Sequence, residues 1–206
     1  LNPSSAASDV YKRQEVAVPA RYGDALIREI ISAGEEFNIT PYGTEALGVM
    51  RIEKGHVTGA ELNGQMTAFN INMNNMISTK KDSIGSVLSR REVMVADDQV
   101  RLVGVKTIKK SDSLSSGAHF LAENDKPTTQ NDQGWITSVC YSPHFEQHIG
   151  LGFLERGHER HGEVLRAWDG IRGTDVLVEI VSSHMYDPEG GLNSFYIIIN
   201  CIFGWI

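Results

Sequence analysis

Seven histidines, two cysteines and a few paired charges are the groups in this 206-residue chain with the chemistry to do more than pack. His144 and His148 stand at i,i+4, and His158 and His161 at i,i+3, spacings that would bring two imidazoles onto one metal. A zinc centre needs three or four converging ligands, however, and turn formers bracket each pair. Pro143 and Gly150 flank the first, Gly157 and Gly162 the second. Both pairs therefore read as histidines on turns, and no metal site is expected. Cys140 would need an imidazole base to act as a nucleophile. Set in an apolar run, it reads instead as a small buried hydrophobe. Lys80 and Lys81, in STKKD, either hold an anionic tail or are simply solvated. The chain has no G-x-G-x-x-G, no phosphate-binding loop and no G-x-S-x-G, so it binds no dinucleotide by itself.

The elements that would position these groups belong to an ordinary globular composition, 41% hydrophobic and 22% charged. Nineteen basic against 26 acidic residues leave a net charge of −7, which argues against a nucleic-acid partner. Cys140 and Cys201 cannot form a disulfide framework, so a reducing, cytoplasmic setting is expected. No apolar run is long enough to span a bilayer, and no membrane partner is expected. Residues 1–14 (LNPSSAASDVYKRQ) lack the apolar core of a signal peptide, and DVYKRQ looks like a sequencing adaptor read in frame. The closing SFYIIINCIFGWI has no charge after Glu189; it reads as out-of-frame or read-through sequence or as a buried last strand. Residues 1–14 are thus expected to be an artefactual or disordered leader, and 191–206 a non-native tail.

Between these ends the pattern is that of an α+β protein. EVAVPA (15–20) reads as a short strand. Ala25, Leu26, Ile30, Ile31 and Phe37 recur at helical spacing, with Gly34 as a stop. Thr44 is a candidate N-cap for a second helix that ends at Gly55, and Ser83 to Val95 reads as a third. From Asp98 the period changes. Six runs (100–108, 117–122, 135–141, 149–154, 164–168 and 176–181) are bounded by Gly, Pro, Asp or Asn, as in a small antiparallel barrel. Alternation places Ile149, Leu151, Phe153, Val176, Val178 and Ile180 inward.

PYGTEALGVMRIEKG (41–55) resembles the tetrahydrofolate-binding aminomethyltransferase superfamily, which includes the glycine-cleavage T-proteins. Within it, the phrase is most similar to the C-terminal part of the α-subunit family of heterotetrameric sarcosine oxidases. Four further stretches follow in that family's order. EVAVPA resembles the strand after its Y-T-G-E segment, and STKKDSIG (78–85) its V-S-K-K-K-D-F-I-G. GWITSVCYSPHFEQHIGLGFLERG (134–157) resembles a motif of its C-terminal barrel. VEIVSSHMYDPEG (178–190) resembles its closing V-x-F-Y-D-P-E-G. The resemblance implies an α+β fold: the remnant of an aminomethyltransferase folate-binding domain over 15–97, then a small antiparallel β-barrel over 98–190.

Three departures stand out. The leader ends at Gln14 where the family carries the pterin-gripping carboxylate; NINMNN (70–75) replaces a glycine-rich segment; and Leu47 and Gly48 stand where T-proteins have Arg and Asp. Asparagine tolerates left-handed backbone, so the turn at 70–75 is expected to survive.

What the family implies for function is correspondingly specific. Arg51 matches the arginine of L-R-L-E and would fork a carboxylate or the pterin carbonyl. It would equally pair with Glu53 or cap its helix. Tyr42 would stack or hydrogen-bond at the pocket mouth, or pack as a turn tyrosine. The reaction implied is oxidative demethylation of sarcosine to glycine, with the one-carbon unit passed to tetrahydrofolate in this domain. FAD or FMN and NAD are expected elsewhere in the complex, other sarcosine oxidase subunits are the expected partners, and this chain alone is expected to be inactive. The alternatives are a glycine-cleavage aminomethyltransferase and a non-catalytic folate-binding module.

Overall fold

The structure, a computed structural model, describes residues 16–78, 80–81 and 83–189. The expectations for the leader, the tail and Cys201 lie outside these residues. The chain divides into two compact units, one ending at Tyr42 and including Glu189, the other running from Gly43 to Pro188. Residues 43–97 fall in the same compact unit as the barrel.

In the second unit, six short runs rich in β-branched residues become β1 (Val100–Thr107), β2 (His119–Leu121), β3 (Gly134–Ser142), β4 (Gln147–Glu155), β5 (Val164–Asp169) and β6 (Thr174–Val181). They close into an antiparallel barrel in the order β1-β4-β3-β2-β5-β6, with β6 returning to β1. The fold is α+β with a closed barrel, as the six runs lead one to expect. All six strands contribute to one apolar cluster, which is therefore the lumen: Val103, Phe120, Ile136, Leu154, Leu165 and Ile180 belong to it. Val178 is buried there and Val176 packs against it.

Ile149, Leu151 and Phe153 do not point inward. They are fully buried on the outer face, with Leu102 and Ile52. The lumen side of β4 carries Gly150 and Gly152 instead, and a Cβ at Gly152 would meet the Phe120 ring at 3.1 Å. A narrow barrel accommodates Phe120 only where the wall opposite has no side chain. Because both faces of β4 are buried, apolar alternation alone cannot tell which face is inside.

Helix α1 (Gly23–Gly34) lies in the first unit and α2 (Thr44–Lys54) in the second. Gly43, not Thr44, caps α2, with extended backbone and its carbonyl accepting from Leu47 N–H. Gly55 ends α2 at φ 75°, where a Cβ would strike the Ser183 carbonyl. Two other expectations fail. Residues 16–19 form no strand. Ser83 to Val95 is not a helix but a pair of 3₁₀ turns, Leu88–Arg90 and Glu92–Met94. Ser89 bonds the Ser86 carbonyl through its side chain, and Ile84, Val87 and Val93 stay exposed, so no buried face stabilises a helix there.

The left-handed turn at 70–75 survives, with Asn72 at φ 61°. Asn70 and Asn72 donate to the carbonyls of Val100 and Leu102, occupying the part of β1 that lies beyond its register with β6.

Candidate functional site

The last turn of α2 sends four consecutive side chains to four partners. Ile52 is buried in the outer apolar cluster on β1 and β4. Arg51 donates from Nη1 to Glu61 at 3.2 Å and from Nη2 to the Ser138 hydroxyl at 2.7 Å. Glu53 accepts from the Ser142 hydroxyl at 2.5 Å. Lys54 bonds the Asp187 carboxylate at 2.7 Å and its carbonyl at 2.5 Å. The Tyr186 amide donates to the Glu53 carbonyl, which ties the closing YDPE segment to the end of the helix.

An irregularity in β3 makes the Arg51 contacts. Ile136 pairs with Gly152 and Ser138 with Leu151, so Thr137 is an extra residue, a β-bulge. In a regular strand, neighbouring side chains point to opposite faces. Here the Thr137 and Ser138 hydroxyls both lie 2.6 Å from the same oxygen, Glu61 Oε1. The other oxygen, Oε2, takes the Thr58 amide at 2.8 Å, the Thr58 hydroxyl at 3.3 Å, and Arg51.

Glu61 is wholly buried. Burial pushes its carboxyl upward. The hydroxyls of Ser138 and Thr137, the Thr58 amide and the Arg51 charge outweigh that push and hold it below the ordinary carboxylate range. It is therefore ionised at neutral pH, and serves as an anchor for a cation rather than as a proton carrier. Arg51, with a side chain 19% exposed, has two N–H groups so engaged. Among the described residues these two bonds use only two of its five N–H donors. The arrangement is a preorganised cation with a donor to spare, suited to binding an oxygen acceptor.

Of the residues singled out from the sequence, Arg51 sits at the centre of this cluster. Its carboxylate partner is Glu61, while Glu53 is taken by Ser142. Tyr42 is the last residue of the first unit, half-buried, with its hydroxyl pKa raised by burial; every member of the cluster belongs to the second. Lys80 and Lys81 are exposed. Cys140 packs against the outer apolar cluster, its thiol pushed up to about 11 by burial and by Glu53 against the opposing pull of Arg51, which leaves it a poor nucleophile. Among the described residues no group of His, Cys, Asp and Glu is placed to hold a metal ion. His148 lies in β4 rather than on a turn.

Sequence reasoning missed Glu61 altogether. Thr137, Ser138, Ser142 and Asp187 were present in the quoted motifs without being singled out. Their signal was that three matched stretches had to meet somewhere, and they meet at the end of α2. A separate cavity of about 230 Å³ is lined by His119, Leu121, Thr128, Asp132 and Trp168, and contains none of these motif residues.

Residues 14–81 match the GCVT N-terminal domain and residues 101–187 the glycine cleavage T-protein C-terminal barrel domain. The chain belongs to the glycine cleavage T-protein family. Within the family it is similar to the sarcosine oxidase subunit alpha of Rhizobium meliloti (strain 1021), at 39% identity over 85% of this chain. The corresponding subunit of Corynebacterium sp. (strain U-96) is 35% identical over the same share. This chain spans 18% of the length of each. An aminomethyltransferase of Desulfitobacterium hafniense is 25% identical over 85% of this chain and 46% of its own length. The crystal structure of the glycine cleavage system aminomethyltransferase T from Bartonella henselae superposes with a TM-score of 0.66, covering 83% of this chain and 45% of that one. At 16% identity it shows a shared T-protein fold. No helix among the described residues is long and apolar enough to cross a membrane.

Proposed function

We propose that this chain is the folate-binding portion of a cytoplasmic sarcosine oxidase α subunit, working with the other subunits of that hetero-oligomer. The observation that carries this reading is the identity of 35–39% to two sarcosine oxidase α subunits, against 25% to the aminomethyltransferase. In this reading Arg51 binds an oxygen of a reduced folate, and Tyr42 contributes at the pocket mouth. The residues present fit one end of such a ligand: a buried anion holds a partly exposed cation with N–H donors to spare. In this reading the chain supplies one wall of the folate site and does not turn over by itself. No residue here is assigned to FAD, FMN or NAD, which belong elsewhere in the complex.

The chemistry assigned to the assembly is redox followed by transfer. In the assembly a flavin would accept a hydride from the sarcosine methyl group, and the nitrogen would release one further proton, leaving an imine. The imine's methylene carbon passes to tetrahydrofolate, forming 5,10-methylenetetrahydrofolate and releasing glycine. Without folate, water takes the same carbon as formaldehyde. Product analysis of the full-length oxidase complex tests this. With sarcosine and tetrahydrofolate, methylenetetrahydrofolate is expected in step with glycine. Formaldehyde in equal yield whether or not folate is present would refute the folate assignment. Turnover of an aminomethyl-lipoyl carrier without sarcosine oxidation would favour a T-protein activity.

A further inference from the structure

We infer that Glu61, gripped by the bulged pair Thr137 and Ser138, is a positioning residue that sets the orientation of Arg51 toward its ligand. The inference rests on the reading that Arg51 binds a reduced folate, and it adds a residue which that reading does not need. Arginine is long and flexible, and an unsupported side chain loses rotamer freedom each time it binds. Here that freedom is removed in advance. Glu61 Oε2 holds Nη1, and Ser138 accepts from Nη2 while donating its own O–H to Glu61 Oε1. The carboxylate cannot swing away, because Thr58 fixes it from its own loop and Thr137 from the barrel wall.

Two of the guanidinium's five N–H donors are engaged from below, and the others remain for an acceptor reaching the partly exposed side chain. The bulge matters because only an extra residue at Thr137 puts two successive hydroxyls on one side of β3. If packing were the whole purpose, a shape-matched apolar cluster would fill this place without desolvating a charge pair. The device instead keeps one cation fixed and partly open, the form that recognition of an oxygen acceptor requires.

The test is a double-mutant cycle on the full-length protein, titrated calorimetrically with tetrahydrofolate, for wild type, Glu61→Gln, Arg51→Ala and the double variant. Glu61→Gln is expected to weaken tetrahydrofolate binding by about tenfold in the wild-type background and to have no further effect once Arg51 is alanine. Ser138→Ala, which removes a single hydroxyl, should act in the same direction and covers the case in which Glu61→Gln does not fold. A parallel titration with 6-methyltetrahydropterin distinguishes the acceptor. Retained coupling places Arg51 on the pterin carbonyl, and lost coupling places it on the carboxylates of the glutamate tail.

An equal loss from Glu61→Gln with and without Arg51 overturns the inference, since Glu61 would then act on the fold as a whole. So does unchanged affinity in both Glu61→Gln and Ser138→Ala. Unchanged affinity in Arg51→Ala overturns the folate reading of Arg51 itself, and is recognisable as such because it appears in the single variant.

Discussion

Inside the barrel, Phe120, Ile136, Leu165 and Ile180 meet apolar neighbours, whereas on the outer face Thr137, Ser138 and Ser142 meet buried carboxylates carried by α2 and the loop after it. The same strand, β3, serves both sides. Ile136 faces the lumen, and one residue later the bulge turns the strand so that a pair of hydroxyls faces outward. The lumen asks only for volume, which many apolar combinations supply. The outer seam asks for particular atoms at hydrogen-bond distance, and a single mismatch there strands a buried charge. This contrast explains why the motif residues gather on the outside. They join two parts of a fold and hold a cation in place, neither of which an apolar core can do.

Substitutions can break this contrast in measurable ways, and the largest effect belongs to the lumen. Phe120→Ala removes the ring that fills the space beside Gly152, and should cost about 4 kcal/mol in denaturant unfolding without altering the chemistry of the seam. Next comes Glu61→Ala, which leaves Arg51 without its counter-ion and should cost about 3 kcal/mol, with Thr137 and Ser138 also losing their acceptor. Ser142→Ala removes one hydroxyl from Glu53 and one acceptor from the Phe145 amide, for about 1 kcal/mol. The smallest effect is the control in the first unit. Arg28→Ala breaks an exposed i,i+4 pair with Asp24 and should change stability by only a few tenths of a kcal/mol.

Acid separates the two sides in another way. The Glu61 carboxyl is held below its ordinary range in the folded chain, so its contribution is complete above its unfolded pKa and is lost as pH falls through the lower folded value. Stability of the wild-type protein should therefore decline below about pH 4, and Glu61→Gln should flatten that part of the profile. Phe120→Ala should lower the profile at every pH and leave its slope unchanged. A Glu61→Gln profile parallel to wild type would show that this carboxylate does not titrate across the transition.

How much of this was legible in the sequence depends on which side is considered. The six strands were readable because β-branched runs alternate with Gly, Asp and Asn turns. The end of α2 was readable because Gly55 takes the left-handed conformation that stops a helix. The direction in which Ile149, Leu151 and Phe153 point was not, since β4 is buried on both faces and its glycines carry no periodic signal. A helix over Ser83 to Val95 was suggested by spacing alone, and the structure gives that stretch no buried face against which to form one.

Arg51 was found through its motif, and Glu61 was not found because TGAEL is an unremarkable polar turn. Its role exists only through a bulge that places Thr137 and Ser138 together, a register event that propensity and periodicity do not encode.

The central claim is that the outer seam, and not the lumen, answers to the ligand. Hydrogen exchange of the full-length protein with and without tetrahydrofolate tests it most directly. Ligand binding slows exchange wherever opening of the chain releases the ligand. The account predicts added protection concentrated at residues 51–61 and at Thr137 and Ser138, beyond any uniform slowing in β5 and β6. Uniform slowing alone, or no change at 51–61 under saturating tetrahydrofolate, would contradict it.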